Sequence, residues 1–190
     1  MIFKRIIGLT ALVLALSACS DSSDSSGPAI EVRPALDLTF SEPPIALPNI
    51  TADFAAEVPY GEAERNVFDV FIPDCSDPTP LVIYIHGGGF TGGDKSAPYG
   101  RPEQVEQIQE FLSNCVAYAT INYTLLQVPE EGGDLEAAAA QGGFLASLND
   151  TARALQFLRD HYESLYIDPE NVASSGISAG ARASLWMGTK

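Results

Sequence analysis

Val172-Ala173-Ser174-Ser175-Gly176-Ile177-Ser178-Ala179-Gly180-Ala181-Arg182-Ala183 is the stretch whose reading organises the whole chain. Val172 to Ser175 reads as a short strand and Ala179 to Met187 as a helix. Between them, Gly176-Ile177-Ser178-Ala179-Gly180 fits Gly-x-Ser-x-Gly, the spacing of a sharp strand-to-helix turn. The turn is strained, so Gly176 and Gly180 are there to accept close backbone approach. The serine projects at the tip of a sheet, and the helix behind it aims its partial positive end at the same place. Alone the motif is weak, because glycine and serine are common and an ordinary turn explains it about as well.

A second motif lies upstream. His86-Gly87-Gly88-Gly89-Phe90 directly follows Leu81-Val82-Ile83-Tyr84-Ile85, an unbroken apolar run of the kind buried on both faces of a parallel sheet. Glycines leave backbone N–H groups open to close approach, which suits stabilisation of a developing oxyanion. A flexible turn or a phosphate cradle are the other readings, and the missing Gly-Lys-Ser/Thr ending excludes a P-loop. The two motifs strengthen each other. Each follows a strand, their order is right, and the 92 positions from His86 to Ser178 leave room for the strand and two helices expected between them.

Working outward, Phe54 to Tyr60 and Asn66 to Ile72 read as two strands around a Gly61-Glu62 turn. Asp69 puts a charge on one face of the second, which suits an outer antiparallel strand. Val105, Ile108, Phe111 and Leu112 recur at helical spacing, and Val116 to Asn122 is the next strand. Thr124 to Gly143 is loop-like, with an acidic segment from Pro129 to Glu136. A helix follows with Leu148, Ala152, Leu155, Leu158 and Tyr162 on one face, and Asp168-Pro169 breaks that pattern. Alternating strands and helices predict an α/β fold with a mainly parallel sheet.

The formal net charge is −15, and 25 acids face only 10 bases. A surface this acidic repels phosphate backbones and argues against a nucleic-acid partner. Met1 to Arg5 is a short positive start, and Ile6 to Leu16 is apolar but too short to span a bilayer. Leu16-Ser17-Ala18-Cys19 resembles the lipobox of bacterial lipoproteins, which implies cleavage before Cys19 and lipid on its sulfur. An ordinary signal peptide with a chance cysteine is the alternative. Residues 1–18 are thus expected to be a signal peptide, 19–45 a Ser/Asp/Pro-rich flexible tether, and 46–190 a folded domain. The expected location is the bacterial cell envelope, with a lipid-anchored protein facing the periplasm or the cell surface.

Cys75 precedes the Leu81–Ile85 run and Cys115 immediately precedes Val116 to Asn122. If those runs are neighbouring parallel strands, both thiols sit at one sheet edge, and an exported chain is expected to bridge them. No zinc-like spacing occurs, and neither a metal nor a cofactor is expected.

Phe68-Asp69-Val70-Phe71-Ile72-Pro73, Tyr84 to Phe90, Ile121-Asn122-Tyr123, Asn149-Asp150, and Asp168 to Val172 leading into Gly176 to Ala181 carry a family resemblance. Over about residues 55 to 190 the chain resembles the carboxylesterase and hormone-sensitive-lipase-like esterases of the α/β-hydrolase fold. It is also similar to bacterial acetyl-xylan and feruloyl esterases. The resemblance implies a sheet with helices on both faces, Ser178 as nucleophile toward a small-molecule ester, and no cofactor. It implies oxyanion N–H groups from Gly88, Gly89 and Ala179, with His86 shaping the loop. Ile177 departs from the acid many relatives carry, and Thr124 from a common arginine.

In this fold the order runs Ser, then Asp or Glu, then His. Only twelve residues follow Ser178, and none is His, Asp or Glu. The chain therefore reads as the N-terminal part of a longer domain, ending after the helix behind Ser178 and nearly inactive by itself. An arylformamidase-like amidase and a non-catalytic anchored binding protein are the competing functions.

Overall fold

The computed structural model describes residues 35–127 and 143–188. Its sheet is organised by the apolar run singled out above. β3 (Thr79–Ile85) lies between two parallel neighbours, β4 (Ala117–Ile121) and β5 (Ile167–Gly176). β2 (Val67–Pro73) runs antiparallel on the far side of β4, and β1 (Ala52–Pro59) antiparallel to β2, giving the order β1-β2-β4-β3-β5. Leu81, Ile83, Tyr84 and Ile85 are buried because helices cover both faces of their strand.

On one face, α1 (Pro102–Ser113) packs Ile108 and Leu112 against Phe71, Tyr84 and Tyr118. Pro102 opens that helix, where its missing N–H costs nothing. On the other face, α2 (Gly143–Asp160) and α4 (Ala179–Met187) bury Ala154, Leu158, Ala183 and Met187 against Phe68, Val70, Ile83 and Ile85. A short turn of helix, α3 (Tyr162–Leu165), separates α2 from β5.

Four expectations change. First, β5 begins at Ile167, not Val172, and carries Asp168-Pro169 within it. Pro169 is accommodated where the pairing with β3 slips between Thr79 and Leu81. Second, the buried side of α2 is Ser147, Leu148, Asp150, Thr151, Ala154 and Leu158, with Tyr162 outside the helix and exposed. Ser147 and Asp150 bond to Thr124 and Asn66, and Thr151 bonds back to the Leu148 carbonyl of its own helix, so apolar periodicity alone pointed the helix a little off its true face. Third, the strand that carries Asp69 is antiparallel as expected but is not the outer one, because β1 flanks it, and Asp69 itself is buried. It is 2% exposed, and its Oδ1 lies 2.8 Å from the Nζ of Lys95. Fourth, part of the segment read as tether is docked. The Leu36 N–H donates to Ser164 Oγ at 3.0 Å, Phe40 bridges to Ala55, and Ile45 is buried. Cys19, residues 1–18 and the acidic segment 129–136 lie outside the described residues.

Cys75 and Cys115 form a disulfide with Cα atoms 6.1 Å apart. The parallel pairing of β3 with β4 brings the residues before each strand to the same edge, opposite the end where the two glycine motifs emerge.

Candidate active site

β5 ends at Gly176 and α4 begins at Ala179, so only Ile177 and Ser178 make the turn. Ser178 takes φ 57° and ψ −114°, a conformation L-residues rarely adopt, and its side chain is exposed. Two glycines permit this. A Cβ on Gly180 would stand 2.0 Å from the Ile85 carbonyl oxygen, and one on Gly176 would stand 2.6 Å from that same oxygen. The turn thus folds directly onto the C-terminal end of β3.

The glycine loop leaves from that same end. A Cβ on Gly87 would lie 2.8 Å from the Ile177 carbonyl oxygen and 3.4 Å from Ser178 Cβ, so the two motifs touch backbone to backbone. Gly88 and Gly89 have φ of +116° and +63°, which carries the loop around Ser178. Among the described residues, no acceptor takes the N–H of Gly88, Gly89 or Ala179. Two clefts open beside Ser178. One, of about 340 Å³, is lined by Gly89, Phe90, Phe144, Ala179 and Arg182. The other, of about 260 Å³, reaches past Gly87 and Gly88 to Tyr84 and Arg101.

His86 lines the second cleft, but its ring nitrogens are engaged by Gly87 and Arg65 and not by Ser178. Its Nδ1 lies 2.7 Å from the Gly87 carbonyl oxygen; a carbonyl only accepts, so Nδ1 carries the proton. Nε2 is then an acceptor, and Arg65 Nη2 faces it at 3.5 Å. Burial pushes the His86 pKa down, so the ring stays neutral. His161 is likewise occupied, with Nδ1 2.8 Å from the Phe157 carbonyl oxygen. Among the described residues, no imidazole is hydrogen-bonded to Ser178.

A polar network behind the loop sets its path. Arg65 donates to the carbonyls of Gly93 (2.9 Å) and Tyr123 (3.0 Å) and to Asn122 Oδ1 (3.1 Å). Asn122 Oδ1 also accepts the Lys95 N–H at 2.7 Å, and its Nδ2 donates to Asp94 at 2.8 Å. Desolvation raises the Asp94 pKa, but hydrogen bonds from Asn122 and Ser96 outweigh it and hold the carboxyl at about 2. Lys95 is anchored by Asp69 and Glu57. Asp150, on α2, accepts from Asn66 Nδ2 at 2.8 Å and from the Thr124 N–H at 3.0 Å, tying the segment after β4 to the helix layer.

Ser178, Gly88, Gly89, Ala179, Gly176 and Gly180 thus converge at one end of the sheet, while Cys75 and Cys115 lie at the other. Arg65 and Lys95 had no local signal in the sequence. An arginine in a turn and a lysine in a glycine-rich loop look solvated until the fold places carbonyls and carboxylates around them. Among the described residues, no group of three His, Cys, Asp or Glu side chains could hold a metal ion.

A mainly parallel sheet with helices on both faces and a serine on a strand-to-helix turn beside a glycine loop defines an α/β-hydrolase fold. The family model described as BD-FAE matches residues 68–190, more than half of the chain, and the protein belongs to that family. It is similar to Lipase 2 of Geotrichum candidum, 27% identical over 171 residues that cover 84% of this chain and 30% of that protein. A 33-residue stretch, 17% of the chain, is 61% identical to kynurenine formamidase of Danio rerio and covers 11% of it. Among solved structures, Bacterial Heroin Esterase superposes with a TM-score of 0.51 at 27% identity, covering 74% of this chain and 39% of the esterase. The chain therefore spans about a third of the length of Lipase 2 and of Bacterial Heroin Esterase.

Proposed function

We propose that the protein is a serine hydrolase of carboxylic esters with Ser178 as nucleophile. The observation that carries this reading is the position of Ser178, exposed on a strained turn where the glycine loop and the N-terminus of α4 meet. Ser178 Oγ attacks the ester carbonyl and forms a bond to carbon. The carbonyl oxygen gains negative charge and accepts from the N–H groups of Gly88, Gly89 and Ala179. The serine proton passes to a histidine oriented by an Asp or Glu, a pair that the described residues do not place beside Ser178. The C–O bond to the leaving alcohol then breaks, and the alcohol takes that proton. Water, deprotonated by the same histidine, releases the acid and restores Ser178. The similarity to Lipase 2 and to Bacterial Heroin Esterase supports ester substrates.

The test is a fluorophosphonate probe and a 4-nitrophenyl ester offered to the full-length protein. Labelling and turnover that both vanish in Ser178→Ala are expected. An unlabelled wild type without turnover would mean a binding protein on a hydrolase scaffold. The stretch shared with kynurenine formamidase favours a second reading, an amidase. Turnover of formyl amides without turnover of short acyl esters would select it.

The lipobox-like Leu16-Ser17-Ala18-Cys19 supports anchoring in the cell envelope through lipid on Cys19. Cys19→Ala is expected to release the protein from membranes. A variant that still sediments with them would end the anchor reading.

A further inference from the structure

The chain has 25 acids against 10 bases, yet each of the two clefts beside Ser178 holds an arginine. Arg182 lies one turn into α4, and its backbone N–H donates to the Ser178 carbonyl at 3.1 Å. Its guanidinium sits 5.9 Å from the centroid of the Phe144 ring, on an aromatic wall continued by Phe90, whose ring centroid is 5.1 Å from that of Phe144. Arg101 precedes α1 and lines the opposite cleft; its side chain makes no capping bond to the helix. Both side chains are exposed, and among the described residues neither forms a salt bridge.

The other bases near the loop are used up in the fold. Lys95 is buried against Asp69 and Glu57, and Arg65 against three backbone and side-chain oxygens. Among the described residues, Arg182 and Arg101 are therefore the cations that a bound molecule meets. A guanidinium held on an aromatic face keeps its N–H edge open and matches a carboxylate fork to fork. On a chain this acidic, an anionic substrate is repelled at long range, so a local cation decides whether it is accepted.

We propose that Arg182 and Arg101 make this site selective for esters that carry a negative charge, in addition to the apolar body that Phe90 and Phe144 accept. An ester has an acid side and an alcohol side, and each cleft receives one of them. The inference rests on the hydrolase reading given above.

The test compares charged and neutral esters in matched pairs on the full-length protein. Mono(4-nitrophenyl) glutarate against 4-nitrophenyl butyrate places the charge on the acid side. 4-Acetoxybenzoate against its methyl ester places it on the alcohol side. In one arm, Arg182→Gln is expected to lower the charged-to-neutral ratio of kcat/KM about tenfold, the size of one charge-assisted hydrogen bond. The loss should lie in KM, Arg182→Lys should restore part of it, and added salt should erode the wild-type preference. Arg101→Gln is expected to do the same in the other arm. Ratios that stay within about twofold of wild type in both variants and both arms overturn the proposal. If wild type hydrolyses none of the four esters, the hydrolase reading fails and takes this inference with it.

Discussion

Tyr123 lies flat on His86, with ring centroids 4.3 Å apart and planes 14° from parallel, and its hydroxyl donates to the His86 carbonyl at 2.9 Å. One residue thus holds both the ring and the backbone of the histidine that begins the glycine loop. Tyr123→Phe keeps the stack and leaves a buried carbonyl short of a donor, so a loss of about 1–2 kcal/mol is expected in urea unfolding. Tyr123→Ala also removes the ring, and about 3–5 kcal/mol is expected.

The neutral state of His86 gives a pH dependence whose sign is fixed. Its native pKa lies below the ordinary value, so below about pH 6.5 the unfolded chain binds more protons than the native one. The stability from His86 is complete above that pH and is lost as pH falls through and below it, with a slope of at most about 1.4 kcal/mol per unit. Unfolding free energies at pH 7.5 and 5.5 should fall in wild type and change less in His86→Gln. Equal slopes would count against this account.

The glycines around Ser178 should not respond alike. Gly180→Ala drives a methyl to 2.0 Å from a backbone oxygen of β3, which cannot yield. Loss of soluble folded protein is expected, or destabilisation beyond about 4 kcal/mol. Around Gly89 the nearest atom to an added Cβ is Thr91 Oγ1 at 3.7 Å, so Gly89→Ala meets only the strain of its positive φ, about 1–2 kcal/mol. Circular dichroism melts of the two variants check the contrast.

Lys95 and Glu57 form an ion pair whose two ends differ in burial, 5% and 68% exposed. Lys95→Met would strand Asp69 as an unpaired buried charge, at a cost of about 3–5 kcal/mol. Glu57→Gln removes only the exposed partner, and less than about 1 kcal/mol is expected. Similar losses in both variants, measured by denaturant unfolding, would refute this ranking.

The Cys75–Cys115 bridge closes a loop with a sequence separation of 40. On the chain-entropy model it stabilises by about 4 kcal/mol. A Cys75→Ser/Cys115→Ser double variant should show that loss, and thiol titration of denatured wild type should find this pair unreactive until a reductant is added.

Much of this fold was legible because its decisive signals are local. Leu81–Ile85 reads as a central strand from its unbroken apolar character, and Gly176–Gly180 as a sharp turn from its glycines. The bridging of Cys75 and Cys115 followed once two runs were taken as adjacent parallel strands. The misses share a cause: each depended on what the fold laid against the residue. Asp69 looked like the mark of an outer strand, Leu36 to Ile45 looked like tether, and Tyr162 seemed to continue a helical face.

By itself the sequence determined the succession of strands and helices and the two glycine motifs that bracket the candidate site, because backbone freedom and apolar periodicity are properties of short segments. Tertiary structure alone decided that Gly87 rests on Ile177 and Ser178, and that Arg65, Asn122 and Lys95 gather behind the loop. It also decided that Arg101 and Arg182 face the two clefts. These residues are far apart along the chain, and only the register of β3 with β4 and β5 brings their polar groups close enough to choose partners.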